Sequence, residues 1–425
     1  MSNRADIKWK ESKINSYIDY PRLFPLWMAV FIDILGFYLI LPFLPSFINS
    51  FNVSPIIVGL LISVNAIFTF VFAPILGNLS DKYGRKPLLL ISQAGTMSAF
   101  LILAFSNSIL LIFISRMIDG IFGGNFPIAK AVISDVVPPK DRGAQMTNIG
   151  VAHVLSSLIG PGLGGILFSI GGILLPGIMS ATLSLFTMVI TYILLDESWP
   201  RSKREEYKSE QKENKAKIKI YKNKNALYLL VLWGFHTISF TLFVSNMSQY
   251  LGIIIGLIAF EIGIILTISG LFRAITRFAF FKPLLRKIGG INMIKMGLIM
   301  FVIFFLLLGF SYNPIMIIFA SIFLSFAASS VRGNLLSVIS QSVSPKIQGR
   351  INSYTTSLDS VAQIIGPLIG GIIFDLSFTN IIDPYWWGIV MSVIGSFALF
   401  MFVNKFKSSK KDIKNKKLRK RKKII

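Results

Sequence analysis

"GNLSDKYGRKPL", residues 77–88, sets four charged side chains and two glycines between long apolar runs. No charge occurs from Ile56 to Leu76, and none from Leu88 to Ser115. Apolar runs of 18 or more residues are long enough to cross a bilayer as helices. The charged stretch therefore reads as a short connection between two membrane-spanning helices.

The same alternation continues along the 425 residues, of which 53% are hydrophobic and 15% charged. Soluble globular domains carry about 25% charge. The mean hydropathy of +0.68 agrees with an all-α polytopic membrane protein. Twelve transmembrane helices are predicted, near 24–48, 56–78, 88–106, 108–134, 145–170, 173–195, 227–252, 255–281, 292–311, 313–340, 351–376 and 382–404. They are numbered 1 to 12 in that order. The first twenty residues are polar and charged, so no cleavable signal is expected. Cysteine is absent, which excludes disulfides and thiolate metal sites.

Lys and Arg occupy alternate connections: the amino-terminal tail, Lys82/Arg85/Lys86, Lys140/Arg142, the 196–226 segment, Lys282/Arg286/Lys287, Lys346/Arg350 and the carboxyl-terminal tail. The connections near 49–55, 107, 171, 253, 312 and 377–383 have none. Positive residues stay inside, so both termini are expected in the cytoplasm of a cell-membrane protein. The net charge of +24 is mostly explained by this topology, and nucleic acid is not expected as a partner. The basic tail either touches anionic lipid or is simply solvated. Five regions follow: a tail, 1–23; a six-helix bundle, 24–195; a mixed-charge cytoplasmic linker, 196–226; a second six-helix bundle, 227–404; and a basic tail, 405–425.

The two halves repeat. "VISDVVPPKDRGAQMTN" from Val132 aligns with "VISQSVSPKIQGRINSY" from Val338. "IGPGLGGILF" from Ile159 aligns with "IGPLIGGIIF" from Ile365 at the same offset of 206 residues. Gly160, Pro161, Gly164 and Gly165 thus fall on Gly366, Pro367, Gly370 and Gly371. Six spans per copy is an even number, so the two copies form parallel repeats, an architecture of transporters.

At this point the chain resembles the major facilitator superfamily. Residues 77–86 are similar to its signature "G-x-L-x-D-x-x-G-R-[KR]", with Gly77, Leu79, Asp81, Gly84, Arg85 and Lys86 in place. Tight backbone geometry in such a connection needs glycine. Asp81 is placed to pair with Arg85. The resemblance adds an acid at the end of helix 4, Asp135, and implies a contact with the start of helix 11, making this turn a conformational latch. Lys287 and Gly290 fall opposite Asp81 and Gly84, so the latch is expected to have decayed in the second copy.

"LGFYLILPFLP", residues 35–45, resembles the "L-G-x5-P-x-x-P" pattern of twelve-span, tetracycline-efflux-like drug:proton antiporters, with Pro42 and Pro45 in place. "SSLIGPGLGG", ending at Gly165, resembles the helix 5 antiporter signature, with Ser156 in place of its first glycine. Small residues at helical spacing also serve plain helix packing, and the helix 11 copy supports that reading.

Ionisable residues inside spans are candidates for function. Arg116, with Asp119 and Gly120, matches the helix 4 pattern "R-x-x-[QD]-G", whose Arg the family associates with proton coupling. Three residues apart, Arg116 and Asp119 share a helical face and could instead neutralise each other. Asp33, near mid-membrane, is the preferred proton carrier, its protonation set by burial against any neighbouring Arg. His153 is either a titrating group or a neutral hydrogen-bonded one. Asp359 matches His153 in the second repeat, while Arg332 matches Phe126. All six residues, Asp33, Arg116, Asp119, His153, Arg332 and Asp359, are candidates for proton coupling or for lining the substrate cavity.

The reading is a monomeric secondary transporter in the lipid bilayer, exchanging protons for small amphipathic or drug-like substrates by alternating access. Proton-coupled uptake of a sugar, peptide or organic acid is the alternative. No catalytic residues, cofactor or metal are expected, and without a Walker motif ATP is not the energy source.

Overall fold

The computed structural model describes residues 23–123, 125–138, 141–200, 202, 223–343 and 348–421. The tail before residue 23, Lys140, Lys346, residues 203–222 and the last four residues lie outside them. Among the described residues, twelve helices are long and apolar enough to cross a membrane. In order they are α1 (Phe24–Asn49), α2 (Pro55–Tyr83), α3 (Arg85–Ala104), α4 (Ile109–Val136), α5 (Arg142–Gly171) and α6 (Leu174–Leu194). The others are α7 (Lys224–Ile254), α8 (Ala259–Ile288), α9 (Gly290–Gly309), α10 (Pro314–Gln341), α11 (Gln348–Phe378) and α12 (Trp386–Arg421).

The chain forms two compact units. One contains residues 1–217 and 248–270, the other residues 218–247 and 271–425. The first combines α1–α6 with the end of α7 and the start of α8. There α1 packs on α5 and α6, α3 on α4 and α6, and α2 on α4. In the second unit, α9 packs on α10 and α12. Apolar clusters hold each unit, such as Leu26, Val30, Leu88, Ile128 and Val132 in the first and Trp233, Leu298, Leu335 and Phe402 in the second.

Small residues bring the helices together, as expected where helix association depends on close packing rather than on escape from water. A methyl at Gly177 would lie 2.7 Å from Ala104 Cβ, and the Ser180 hydroxyl donates to the Gly36 carbonyl at 2.8 Å. In the second unit a methyl at Gly366 would lie 2.9 Å from the Leu242 nitrogen.

Three helices are interrupted. α1 breaks between Ile40 and Leu44, where Pro42 lacks the N–H its turn would use. α4 breaks between Ile121 and Asn125, and α10 bends at Val331, the counterpart of Asn125 at the 206-residue offset. Three helices clearly outrun their predicted ends: α2 continues to Tyr83, α8 continues to Ile288, carrying Lys282, Arg286 and Lys287, and α12 continues to Arg421.

Candidate functional site

The connection between α2 and α3 is one residue, Gly84, rather than the longer loop the sequence suggested. Arg85 and Lys86 form the first turn of α3. Gly84 has φ +112°, in the left-handed region that favours glycine, and a methyl there would collide with the Glu197 carboxylate. Gly77 has no such reason to be glycine, because a methyl there would meet nothing within 4 Å. In the second copy the turn glycine is Gly289, φ +77°, between α8 and α9. It replaces the Gly290 of the sequence alignment, a slip of one residue that puts Arg286 opposite Asp81.

Arg85 organises the turn. Its guanidinium meets Asp81 at 2.5 Å, Asp135 at 3.0 Å and the Ser80 hydroxyl at 2.6 Å. The expected partners Asp81 and Asp135 are thus brought together on one buried cation. Glu197, Ser198 and Trp199, at the start of the expected linker, close the cluster. Glu197 accepts the backbone N–H of Arg85 at 2.9 Å and of Lys86 at 3.2 Å. Ser198 donates to Asp135 at 3.1 Å, and the Trp199 indole N–H to the Asp81 carbonyl at 3.2 Å. The sequence reading missed these three. An acid beside a tryptophan just past the last apolar residue of α6 was the available signal.

Within the spans, Arg116 is 3% exposed and pairs with Asp119 at 3.3 Å. Asp119 also accepts from Asn65 of α2 at 2.8 Å. The Arg116 Nη2 donates to Ser115 at 3.2 Å, while its Nε is buried without a hydrogen bond. Asp33 is not joined to this pair. Asn125, the first residue after the break in α4, donates to its Oδ2 at 2.9 Å, and Thr187 of α6 to its Oδ1 at 3.1 Å. The Thr187 hydroxyl also lies 2.8 Å from the Ser184 carbonyl, so its one proton has two competing acceptors. The partners of Asp33 are therefore neutral donors rather than the Arg expected from sequence. His153 is exposed and stands edge-on to Tyr38 of α1, with ring centroids 5.4 Å apart.

The second unit builds a different cluster. Arg332, the first residue after the bend in α10, forms an ion pair with Asp359 of α11. Asp359 Oδ1 also accepts from the Trp233 indole at 2.9 Å and the Thr237 hydroxyl at 3.0 Å. The Arg332 guanidinium lies over the Trp233 ring, 5.1 Å from its centroid. Trp233 and Thr237 sit one turn apart on α7 and carried no motif. His236 between them is buried against Phe301 and Phe240.

The glycine patterns divide by face. Methyls at Gly160 and Gly164 would strike Tyr38 and the Leu39 carbonyl on α1. One at Gly165 would lie 3.0 Å from the Ala259 carbonyl on α8, whose own Gly263 lies against Pro161. Ser156, replacing the pattern's first glycine, donates to the Phe31 carbonyl at 2.9 Å. On α11, a methyl at Gly370 would collide with the Asn246 amide of α7, repeating the α5–α1 contact. Gly371 is buried, and Pro367 lies within α11. Pro45 opens the second piece of α1.

Two internally repeated six-span halves, with charged clusters at helix interruptions in matched positions, define a polytopic membrane transporter of the parallel-repeat type. The sequence pattern of the Major Facilitator Superfamily matches residues 26–294 and 234–424, and the chain belongs to that family. It is 28% identical to the class H tetracycline resistance protein of Pasteurella multocida over 367 residues, 84% of this chain and 89% of that one. It is 26% identical to multidrug resistance protein 1 of Bacillus subtilis, over 86% and 92% of the two chains. Among solved structures, a bacterial homologue of the human lysosomal transporter Spinster has the same fold, with TM-score 0.73 at 14% identity over 92% of this chain and 97% of that one. The human organic anion transporter MFSD10 gives TM-score 0.67 at 21% identity, over 89% and 98%.

Proposed function

We propose that the chain exports small amphipathic, drug-like compounds in exchange for protons, by alternating access between its two six-helix halves. The observation that carries this reading is relatedness over more than four fifths of the chain to tetracycline and multidrug resistance proteins. The setting of Asp33 adds to it. A carboxyl group in an otherwise uncharged helix is expensive to retain without a role. Asn125 and Thr187 can serve either form of the acid, because an amide offers donor and acceptor atoms and a hydroxyl can rotate. Asp33 is the proton carrier in this reading. Arg116 and Asp119 form the charged pair that tunes it, and His153 is a second candidate. The Arg85 cluster biases the balance between conformations. The protein works as a monomer in the cell membrane, with both termini and residues 196–226 in the cytoplasm and the basic tail near anionic lipid.

Substrate flux in inverted vesicles, with and without an imposed pH gradient, tests the reading. Asp33→Asn should abolish gradient-driven accumulation while leaving downhill exchange. Undiminished uphill transport by that variant would remove Asp33 from the proton path. Inward movement of substrate with protons in whole cells would replace export with uptake.

A further inference from the structure

Arg332 has capacity that its own fold does not use. Both oxygens of Asp359 are engaged: Oδ1 takes the Trp233 and Thr237 protons, and Oδ2 takes one from Arg332. Arg332 donates one of its five N–H groups to Asp359, and the other four make no hydrogen bond among the described residues. Its side chain is 44% exposed, whereas that of Asp359 is 18% exposed. A guanidinium this open in a membrane-spanning helix faces water, because hydrocarbon would not accept it. Its position is fixed from behind by the Trp233 ring, itself 2% exposed, and from the side by Asp359. The result is a cation held in place with its remaining donor edge turned outward.

Its place in the helix points the same way. Interrupted spans at corresponding positions of two repeats mark transporter binding sites. The interruption in α4 presents Asn125 to Asp33, and the matching bend in α10 presents Arg332. The first is an acid with neutral partners, suited to proton exchange. The second is a cation with spare donors, suited to an anion.

We propose that Arg332 is a substrate-binding residue for the anionic oxygen of an amphipathic compound, such as a carboxylate, phenolate or enolate. Asp359, Trp233 and Thr237 act as positioning residues that hold the guanidinium by its occupied edge. The inference rests on the export reading for its amphipathic substrates, yet binding needs no gradient, so the two fail separately: a loss of proton-driven flux bears on export, a loss of charge discrimination on Arg332.

The test titrates the purified full-length protein in detergent with naphthoate and with uncharged, nearly isosteric naphthamide. The parent should bind naphthoate at least about ten-fold more tightly, the scale of a charge-assisted hydrogen bond. R332Q should remove that preference and leave naphthamide binding within about two-fold of the parent. R332K should keep part of the preference, since it keeps charge but not the planar fork. W233F, which keeps a ring under the guanidinium but loses the donor to Asp359, should weaken naphthoate alone. Equal binding of the two probes by the parent, or equal loss of both in R332Q, would overturn the assignment.

Discussion

Glu197 caps a helix that begins 112 residues before it: its carboxylate accepts the Arg85 N–H at 2.9 Å and the Lys86 N–H at 3.2 Å. The first N–H groups of a helix lack partners within it, and the helix dipole favours negative charge at that end. One side chain thus satisfies two free donors and ties the end of α6 to the start of α3.

Glu197→Ala should therefore lower stability by about 1–2 kcal/mol, and Glu197→Gln by about half as much, because the amide keeps a hydrogen bond but not the charge. Thermal unfolding in detergent reads the difference. Identical midpoints for parent and Glu197→Ala would show that the cap contributes nothing.

Gly84→Ala should be far worse than Gly77→Ala, although both belong to the same motif. The first adds a methyl at positive φ against the Glu197 carboxylate, at a cost of about 1–3 kcal/mol. The second fills open space inside a helix, where alanine is favoured by about 1 kcal/mol. Yield and melting temperature of the two variants check the contrast. Comparable damage at both sites would mean that Gly77 serves another conformation.

Asp81→Asn should fold normally yet transport less. Asp81 is 44% exposed, and Arg85 would retain Asp135, so the stability loss is about 1 kcal/mol or less. Asp135→Asn should cost about 3 kcal/mol, because that carboxylate is only 10% exposed and shares the buried cation. Flux per folded molecule separates the two effects. Normal flux in well-expressed Asp81→Asn would remove its role in conformational bias.

Arg116→Ala should destabilise the first unit by about 3–5 kcal/mol, since it leaves Asp119 a buried acid without its cation. Combining it with Asp119→Asn should recover most of that loss but not proton-driven transport. Melting temperatures of the single and double variants measure the coupling. Simple additivity would mean that the pair is not coupled.

A single cysteine at Ser54, introduced into a chain that has none, should react with an impermeant maleimide from outside intact cells. Labelling in inverted vesicles alone would reverse the proposed orientation.

The twelve spans were legible because a bilayer imposes a length and an apolarity that any reader can count. Their repeat was legible because the glycine and proline positions recur at one offset. Helix ends were less so: α8 and α12 run on past their apolar segments, since a charged sequence continues a helix once the span has nucleated it. Asp81, Arg85 and Asp135 were read from a motif, and they meet. Arg116 and Asp119 were read from i,i+3 spacing, which is local geometry.

What the linear chain does not hold is which distant groups share a charge. By itself it determined the span count, the charge asymmetry of the connections and the list of intramembrane acids and bases. The tertiary structure decided that Asp33 is held by Asn125 and Thr187 rather than by an arginine, that Glu197 caps α3, and that Trp233 and Thr237 steady Asp359 against Arg332. Hydrogen bonds act over about 3 Å, so their partners are set by how helices cross. The crossings are set in turn by which small residues let two backbones approach, and that is settled only when both helices are in place.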